Sequence, residues 1–263
     1  MIRRREQIVA LINEEGQISF SKLKESFPDI SDMTLRTDLK YLDEMGKVIR
    51  IHGGARSVET LAGTDGLYLA RATRKQSEKL EIAQKAVNLL PHNATLFIDS
   101  GSTTTLFCRT LPDAAYEIYT CGISCATELS RLSQPKVHLL GGEMNRYSLS
   151  VAGPQAVLQA QNYHFDICIL GTTSFSPEFG FSCESEADCF LKRIALSHSR
   201  HVMVLMDSGK YGLINTHRIC TAEQIDILVS DHQLSQEQKQ FFTAKGISVY
   251  LSLIHISEPT RHS

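Results

Sequence analysis

Apolar positions recur at helical spacing three times within the first 45 residues, and the beat then shortens to the alternation of strands. Ile8, Val9, Leu11 and Ile12 put one apolar stripe on a helix over residues 3–15, which Gly16 stops. Gln17-Ile18 is a short extended piece. Ser19 or Ser21 caps a second helix over residues 20–27 with Leu23 inward, and Pro28 forbids its continuation. Leu35, Leu39, Leu42 and Met45 predict a third helix, opening after the capping residues Ser31 and Asp32 and closing at Gly46. Arg36, Thr37 and Lys40 fall off that stripe, so a helix buried on its leucines turns these donors outward. Val48, Ile49 and Ile51 read as a strand that Gly53 and Gly54 turn, with Arg50, His52 and Arg56 around the tip. From Ser57 to Gln76 the pattern fades, and residues 58–76 read as a linker.

Beyond it, Leu80, Ile82, Ala83, Ala86, Val87 and Leu90 mark a helix over residues 77–90, stopped by Pro91. Short β-rich runs then alternate with helices: strands at 95–98, 118–120, 137–140, 166–170, 202–205, 227–229 and 247–251. Such alternation predicts an α/β domain over residues 77–252, a mostly parallel sheet covered by helices. Three helices and a basic hairpin over residues 1–57 have the layout of a winged helix-turn-helix, third helix in the major groove and hairpin on the backbone. A plain amphipathic helix with a solvated polar face would give the same local pattern.

Composition changes this picture little. The chain of 263 residues is 42% hydrophobic and 21% charged, as a globular protein is. Its net charge is −2, and residues 1–57 carry ten Lys and Arg against nine Asp and Glu, so any DNA affinity comes from where charge is placed. Arg3, Arg4, Arg5, Lys22 and Lys24 are candidate phosphate contacts or plain surface charges. The seven cysteines form no CxxC pair and have no zinc-site spacing, so no metal or cofactor is expected and reduced thiols are the default. No apolar run approaches a membrane span, and the N-terminal residues lack the apolar core of a signal peptide; a cytoplasmic chain with no membrane partner is expected.

The candidate chemistry lies at the carboxyl ends of the strands, where parallel sheets bind ligands. Asp99-Ser100-Gly101-Ser102-Thr103-Thr104 combines a close-approach glycine with hydroxyls and the free N–H groups of a helix start, an anion cradle or an ordinary Ser/Thr cap. It has no Walker lysine, so it is not a nucleotide P-loop. Gly171 ends the strand at 166–170. Asp207 and Lys210 follow the strand at 202–205, and Lys210 either adds a point charge for the same ligand or is a surface turn residue. Glu184 and Glu186 precede a helix bearing Lys192 and Arg193, where compensation of the helix dipole is their simplest role.

Three runs carry a resemblance: Met33-Thr34-Leu35-Arg36-Thr37-Asp38-Leu39, Leu42-Asp43-Glu44-Met45-Gly46 and Arg50-Ile51-His52-Gly53-Gly54-Ala55. Together they resemble the DNA-binding signature of the DeoR family of bacterial transcription regulators, with Thr37 where the family usually has a second arginine. The resemblance extends to about residue 250. Asp99–Thr104 looks like the family's phosphate-binding turn, and Asp207-Ser208-Gly209-Lys210-Tyr211-Gly212 is similar to its Asp-x-Ser-Lys-Phe/Tyr-Gly segment, with glycine where serine is commoner. Phe165-Asp166, Leu170-Gly171, Gly180, Glu184 and Lys192 match the segments between.

The resemblance implies a sugar-phosphate-isomerase-like effector domain that binds a phosphorylated sugar or related metabolite without turning it over. It implies a double-stranded DNA operator, a homo-oligomer (dimer or tetramer), and a repressor of a carbohydrate-metabolism operon. Ser31, Met33, Thr34, Arg36, Thr37, Lys40, Arg50, His52 and Arg56 would then face DNA. The effector would meet Asp99–Thr104, Gly171, Glu184, Asp207 and Lys210. The alternative is a catalytic sugar-phosphate isomerase-type enzyme, which needs a general base beside the phosphate, and no carboxylate pair at diagnostic spacing supplies one. Residues 253–263 (LIHISEPTRHS) resemble translated sequencing-adapter sequence and are expected to be a non-native or disordered tail.

Overall fold

The computed structural model describes residues 2–45, 47–51, 53–57 and 68–252. They divide into two compact units that separate between Arg74 and Lys75. Gly46, His52, residues 58–67 and the expected tail lie outside the described residues, as does the Arg3 side chain.

The first unit holds α1 (Ile2–Glu15), β1 (Gln17–Ser19), α2 (Phe20–Ser26), α3 (Asp32–Glu44), β2 (Val48–Ile51) and β3 (Gly54–Ser57). Ser19 caps α2 and Ser31 caps α3, each through its side-chain oxygen, which accepts the N–H three residues on. The inward stripes meet as one core of Ile8, Ile12, Ile18, Leu23, Leu35, Leu39, Leu42, Val48 and Ala55. The β1 strand pairs with β3, which pairs with β2, so the three strands form a small antiparallel sheet in the order β1-β3-β2. Met45 corrects the sequence stripe: it follows the last helical residue and is 54% exposed, because the helix ends one residue too early to carry it inward.

The unpatterned stretch before the second unit contains a helix, α4 (Tyr68–Thr73). Its residues, Tyr-Leu-Ala-Arg-Ala-Thr, include strong helix formers, and the glycines that suggested a linker, Gly63 and Gly66, precede it.

In the second unit α5 (Gln76–Val87) leads into β4 (Thr95–Ile98), α6 (Ser102–Thr110), β5 (Glu117–Thr120), α7 (Ile123–Leu129) and β6 (Lys136–Leu139). A hairpin of β7 (Glu143–Asn145) and β8 (Ser150–Ala152) and helix α8 (Pro154–Ala160) follow. Next come β9 (Phe165–Gly171), β10 (Ser174–Ser176), β11 (Gly180–Cys183), α9 (Glu186–Ser197) and β12 (Ser199–Leu205). The last elements are β13 (His217–Cys220), β14 (Ile227–Ser230), α10 (Gln236–Thr243) and β15 (Ser248–Leu251).

Seven strands pair in parallel in the order β15-β14-β12-β9-β4-β5-β6. The central strands β4 and β9 are buried on both faces, which is why they read as continuous apolar runs, whereas the edge strand β6 is largely exposed. Leu96, Ile98, Ile167 and Ile169 enter one core with α5, α6 and α7; Phe97, Cys168 and Leu170 enter the other with α8, α9 and α10. The chain lays β4, β5 and β6 outward in one direction and β9, β12, β14 and β15 outward in the other. The reversal falls between β4 and β9, and the carboxyl ends of strands at such a switch point are where open parallel sheets bind ligands. The hairpins β7–β8 and β10–β11 escaped the sequence pattern because three- and four-residue strands are too short to show an alternation.

Candidate functional site

In the first unit α3 presents the expected polar face. Met33 is 78% exposed, and Arg36, Thr37 and Lys40 are also exposed. The Ser31 oxygen accepts the Thr34 N–H at 3.2 Å and lies 2.9 Å from the Thr34 hydroxyl. Thr37 donates its hydroxyl back to the Met33 carbonyl at 2.8 Å. The Lys40 ammonium sits 3.8 Å from Glu44, an exposed pair one turn apart on the helix. Arg36 lies over the Phe20 ring, 4.2 Å from its centre, so α2 supplies a platform that orients the guanidinium without consuming its donors. The Arg50 side chain is exposed, while its N–H donates to Asp43 at 3.0 Å. Arg56 is half-buried, and its Nε is buried without a hydrogen-bond partner.

Most of the other basic residues are committed to the fold. Arg4 and Arg5 each contact a separate oxygen of the buried Asp38 carboxylate, at 2.6 and 2.7 Å. Arg5 also lies over the Tyr41 ring at 3.7 Å. Burial pushes the Asp38 carboxyl up, but the two guanidinium groups overcome it and hold it below its ordinary value. The Lys24 ammonium donates to the carbonyls of Pro28 and Ile30, and Lys22 pairs with Glu15 at 2.7 Å. Arg4 and Arg5 are therefore structural ties around Asp38, whereas Lys22 belongs to an exposed surface pair.

At the sheet's switch point, Asp99 follows β4 and has no exposed surface. One of its oxygens lies 2.8 Å from the Lys192 ammonium of α9 and accepts the Gly171 N–H at 3.0 Å. Its other oxygen lies 3.7 Å from the Cys121 thiol, and Lys192 also reaches the Gly171 carbonyl at 3.3 Å. Burial raises the Asp99 carboxyl, with Lys192 opposing. Burial alone would lower the Lys192 ammonium, but the adjacent carboxylate raises it well above its ordinary value and keeps it charged. The pair clamps the end of β4 to the end of β9.

Gly101, at φ +142°, turns the chain from Asp99 into α6, a conformation that side-chain-bearing residues rarely adopt. The Thr104 and Thr105 hydroxyls both donate to the Gly101 carbonyl, at 3.0 and 2.7 Å. The Thr104 hydroxyl is thereby committed to the turn. The first N–H groups of α6 have no partner within the helix, as at any helix start. Ser100 and Thr103 are half-buried and Ser102 is buried.

The Asp207 turn ends β12. Asp207 is buried and accepts the Lys75 ammonium at 3.0 Å. Ser208–Lys210 form a single helical turn, with the Ser208 N–H donating to the buried Asp231 at 2.7 Å. Tyr211 anchors the turn among Phe175, Phe241 and Phe242, with ring centres 5.3 to 6.4 Å away. Since β9 alone separates β4 from β12, the Asp99 and Asp207 turns are about 10 Å apart, two strand spacings. Glu184 is half-buried just after β11, and Ser185 caps α9 with its side-chain oxygen on the Asp188 N–H.

The sequence understated two residues. Lys192 read as one charge on a helix face, yet it is the buried counter-ion of the turn. Lys75 carried no signal in the unpatterned stretch. Long-range ion pairs leave no periodicity to find, although Lys192 and Arg193 interrupt the apolar residues of Cys189–Ala195, and that interruption was an available hint.

Residues 4–61 match the model of the DeoR-like helix-turn-helix domain, and residues 74–232 match that of the DeoR C-terminal sensor domain. The chain is 28% identical over 250 residues to a putative aga operon transcriptional repressor of Escherichia coli O157:H7, covering 94% of this chain and 93% of that one. It is 31% identical over 236 residues to the lactose phosphotransferase system repressor of Streptococcus mutans, covering 88% and 92%. The ribose 5-phosphate isomerase A of Methanocaldococcus jannaschii is a remote structural likeness, at a TM-score of 0.38 and 18% identity over 52% of this chain and 54% of that one. With a helix-turn-helix model matched at one end and the sensor model matched over more than half its length, this chain belongs to the DeoR family of transcription regulators.

Proposed function

We propose that this regulator is a repressor of a carbohydrate operon whose hold on its operator is set by a phosphorylated sugar bound at the strand ends of the second unit. The observation that carries the reading is the buried Asp99–Lys192 pair, which fixes the Gly101 turn and the start of α6 at the switch point of the sheet. There an anion meets unpartnered N–H groups and the positive end of a helix. The relatives support the sugar: one is named for an aga operon, the other for a lactose phosphotransferase system.

In this reading Ser102, Thr103 and the N–H of Thr104 hold the phosphate, with Ser100 and Gly101 shaping the turn. Gly171, Glu184, Asp207 and Lys210 line the side where the sugar extends. Ser31, Met33, Thr34, Arg36, Thr37, Lys40, Arg50 and Arg56 meet a double-stranded operator, with Arg36 on its Phe20 platform the best placed to read a base edge. A homo-oligomer sets two such helices one turn of DNA apart. Asp99 itself is not poised as a general base, since one oxygen meets Lys192 and the Gly171 N–H and the other faces the Cys121 thiol at 3.7 Å.

Thermal stability of the full chain across phosphorylated sugars and their unphosphorylated parents tests this reading. A ligand at 100 times its Kd adds ~2.7 kcal/mol. The account expects stabilisation by a phosphorylated compound alone, lost in the Ser102→Ala/Thr103→Ala variant. A parent sugar that stabilises equally well, or a response that survives in that variant, removes the phosphate cradle from the account.

A further inference from the structure

Lys75 opens the second unit, and several observations set it apart from a surface lysine. Its backbone is left-handed, φ 48° and ψ 46°, immediately before α5. A residue with a β-carbon holds that conformation only where its surroundings enforce it. Its ammonium crosses to the buried Asp207, 132 positions later in the chain. The same turn leaves it room: a β-carbon on Gly209 would stand 2.5 Å from the Lys75 nitrogen. Buried Asp231, which accepts the Ser208 N–H, adds its field to the same ammonium, as does Glu78. One side chain thus ties the residue that follows the inter-unit segment to the loop that closes β12.

We propose that the Lys75–Asp207 pair is a latch through which occupancy of the strand-end site reaches the segment joining the two units. The inference rests on the reading of those strand ends as a sugar-phosphate site. A ligand anchored at Gly101–Thr104 has about 10 Å to cross before it meets Asp207. A sugar hydroxyl donating to Asp207 takes the acceptor that Lys75 uses. Lys75 then loses the tie that enforces its left-handed backbone, and the first turn of α5 loosens together with α4 before it. The coupling free energy between ligand and DNA is the difference in how the bound and free proteins populate the closed latch.

The test is hydrogen exchange on the full chain, comparing wild type, Lys75→Gln and Gly209→Ala, each alone and with glucose 6-phosphate, galactose 6-phosphate or fructose 6-phosphate. Without sugar, Lys75→Gln should speed exchange in peptides over residues 68–80 roughly two- to fivefold, the scale of a partly exposed ion pair, with β4 and β9 unchanged. Gly209→Ala should move the same peptides in the same direction, because it displaces the ammonium without removing it. In wild type the sugar phosphate that protects residues 99–110 should speed exchange over 68–80, and Lys75→Gln should show no further response there. Unchanged exchange over 68–80 in Lys75→Gln, loosening spread evenly over the sheet, or protection of 99–110 with no effect on 68–80 overturns the latch. Failure of all three sugars to protect 99–110 is a separate result: it strikes the effector reading, and the latch as a route from that site falls with it.

Discussion

Replacing Lys192 by Met keeps most of the buried stem and deletes the ammonium. Asp99, without exposed surface, then retains the Gly171 N–H at 3.0 Å, the Ser100 backbone N–H and the Cys121 thiol at 3.7 Å, but no counter-charge. Removing one partner of a buried ion pair costs ~3–5 kcal/mol, because the remaining charge stays desolvated. In a unit of this size each kcal/mol moves the melting temperature by about 2–4 °C, so the sensor transition should fall by roughly 6–20 °C. The companion Asp99→Asn/Lys192→Met removes both charges and should recover most of that loss. The dependence on pH has a definite sign. Without Lys192 the folded Asp99 carboxyl lies above its unfolded value of about 3.9, so the stability it contributes is present at low pH and lost as pH rises. The deficit of the single variant against wild type should therefore shrink as pH falls from 8 to 5. Urea unfolding followed by circular dichroism and tyrosine fluorescence suits a chain with no tryptophan and eight tyrosines. A loss below about 1 kcal/mol, a deficit that does not change with pH, or a double variant no better than the single would refute the clamp.

Three further outcomes follow from the first unit. Arg36→Ala should weaken operator binding by ~1–3 kcal/mol with relaxed preference at one base position, and Phe20→Leu should cost less in the same direction, both read by fluorescence anisotropy on duplexes selected in vitro by the wild type. The Asp38 carboxyl is held below its ordinary value, so the stability it gives is present above about pH 4 and lost as pH falls through the folded value; Asp38→Asn should cost ~1.5–3 kcal/mol at pH 7 and abolish that dependence. Ser31→Ala should destabilise the unit by ~1 kcal/mol through the lost cap on Thr34, measured by thermal melting.

The parts of this molecule legible in its sequence are those written in local pattern. The leucine stripe of α3, its serine cap and the alternation of strands with helices follow from periodicities that span a few residues, and the structure has them to within about three residues. Met45 was misplaced because a helix end is decided by one cap, whereas a stripe is read over several turns. The α4 helix was hidden because six residues of favourable propensity make less than two turns. The turn from Asp99 into α6 was visible because a glycine and hydroxyl residues follow an apolar strand there. What fixes that turn was not visible. Lys192 lies 93 positions from Asp99 in the sequence, and Arg4 and Arg5 lie more than 30 from Asp38. Folding brings these charges together, and no spacing rule announces them.

The most direct test of the account is DNA affinity of the full chain, on a duplex selected in vitro by the wild type, measured with and without the phosphorylated sugar that raises its melting temperature. The account predicts a change of about 5–150-fold, the usual 1–3 kcal/mol of allosteric coupling, and no change in the Ser102→Ala/Thr103→Ala variant. An affinity that is the same with the sugar phosphate bound would contradict it.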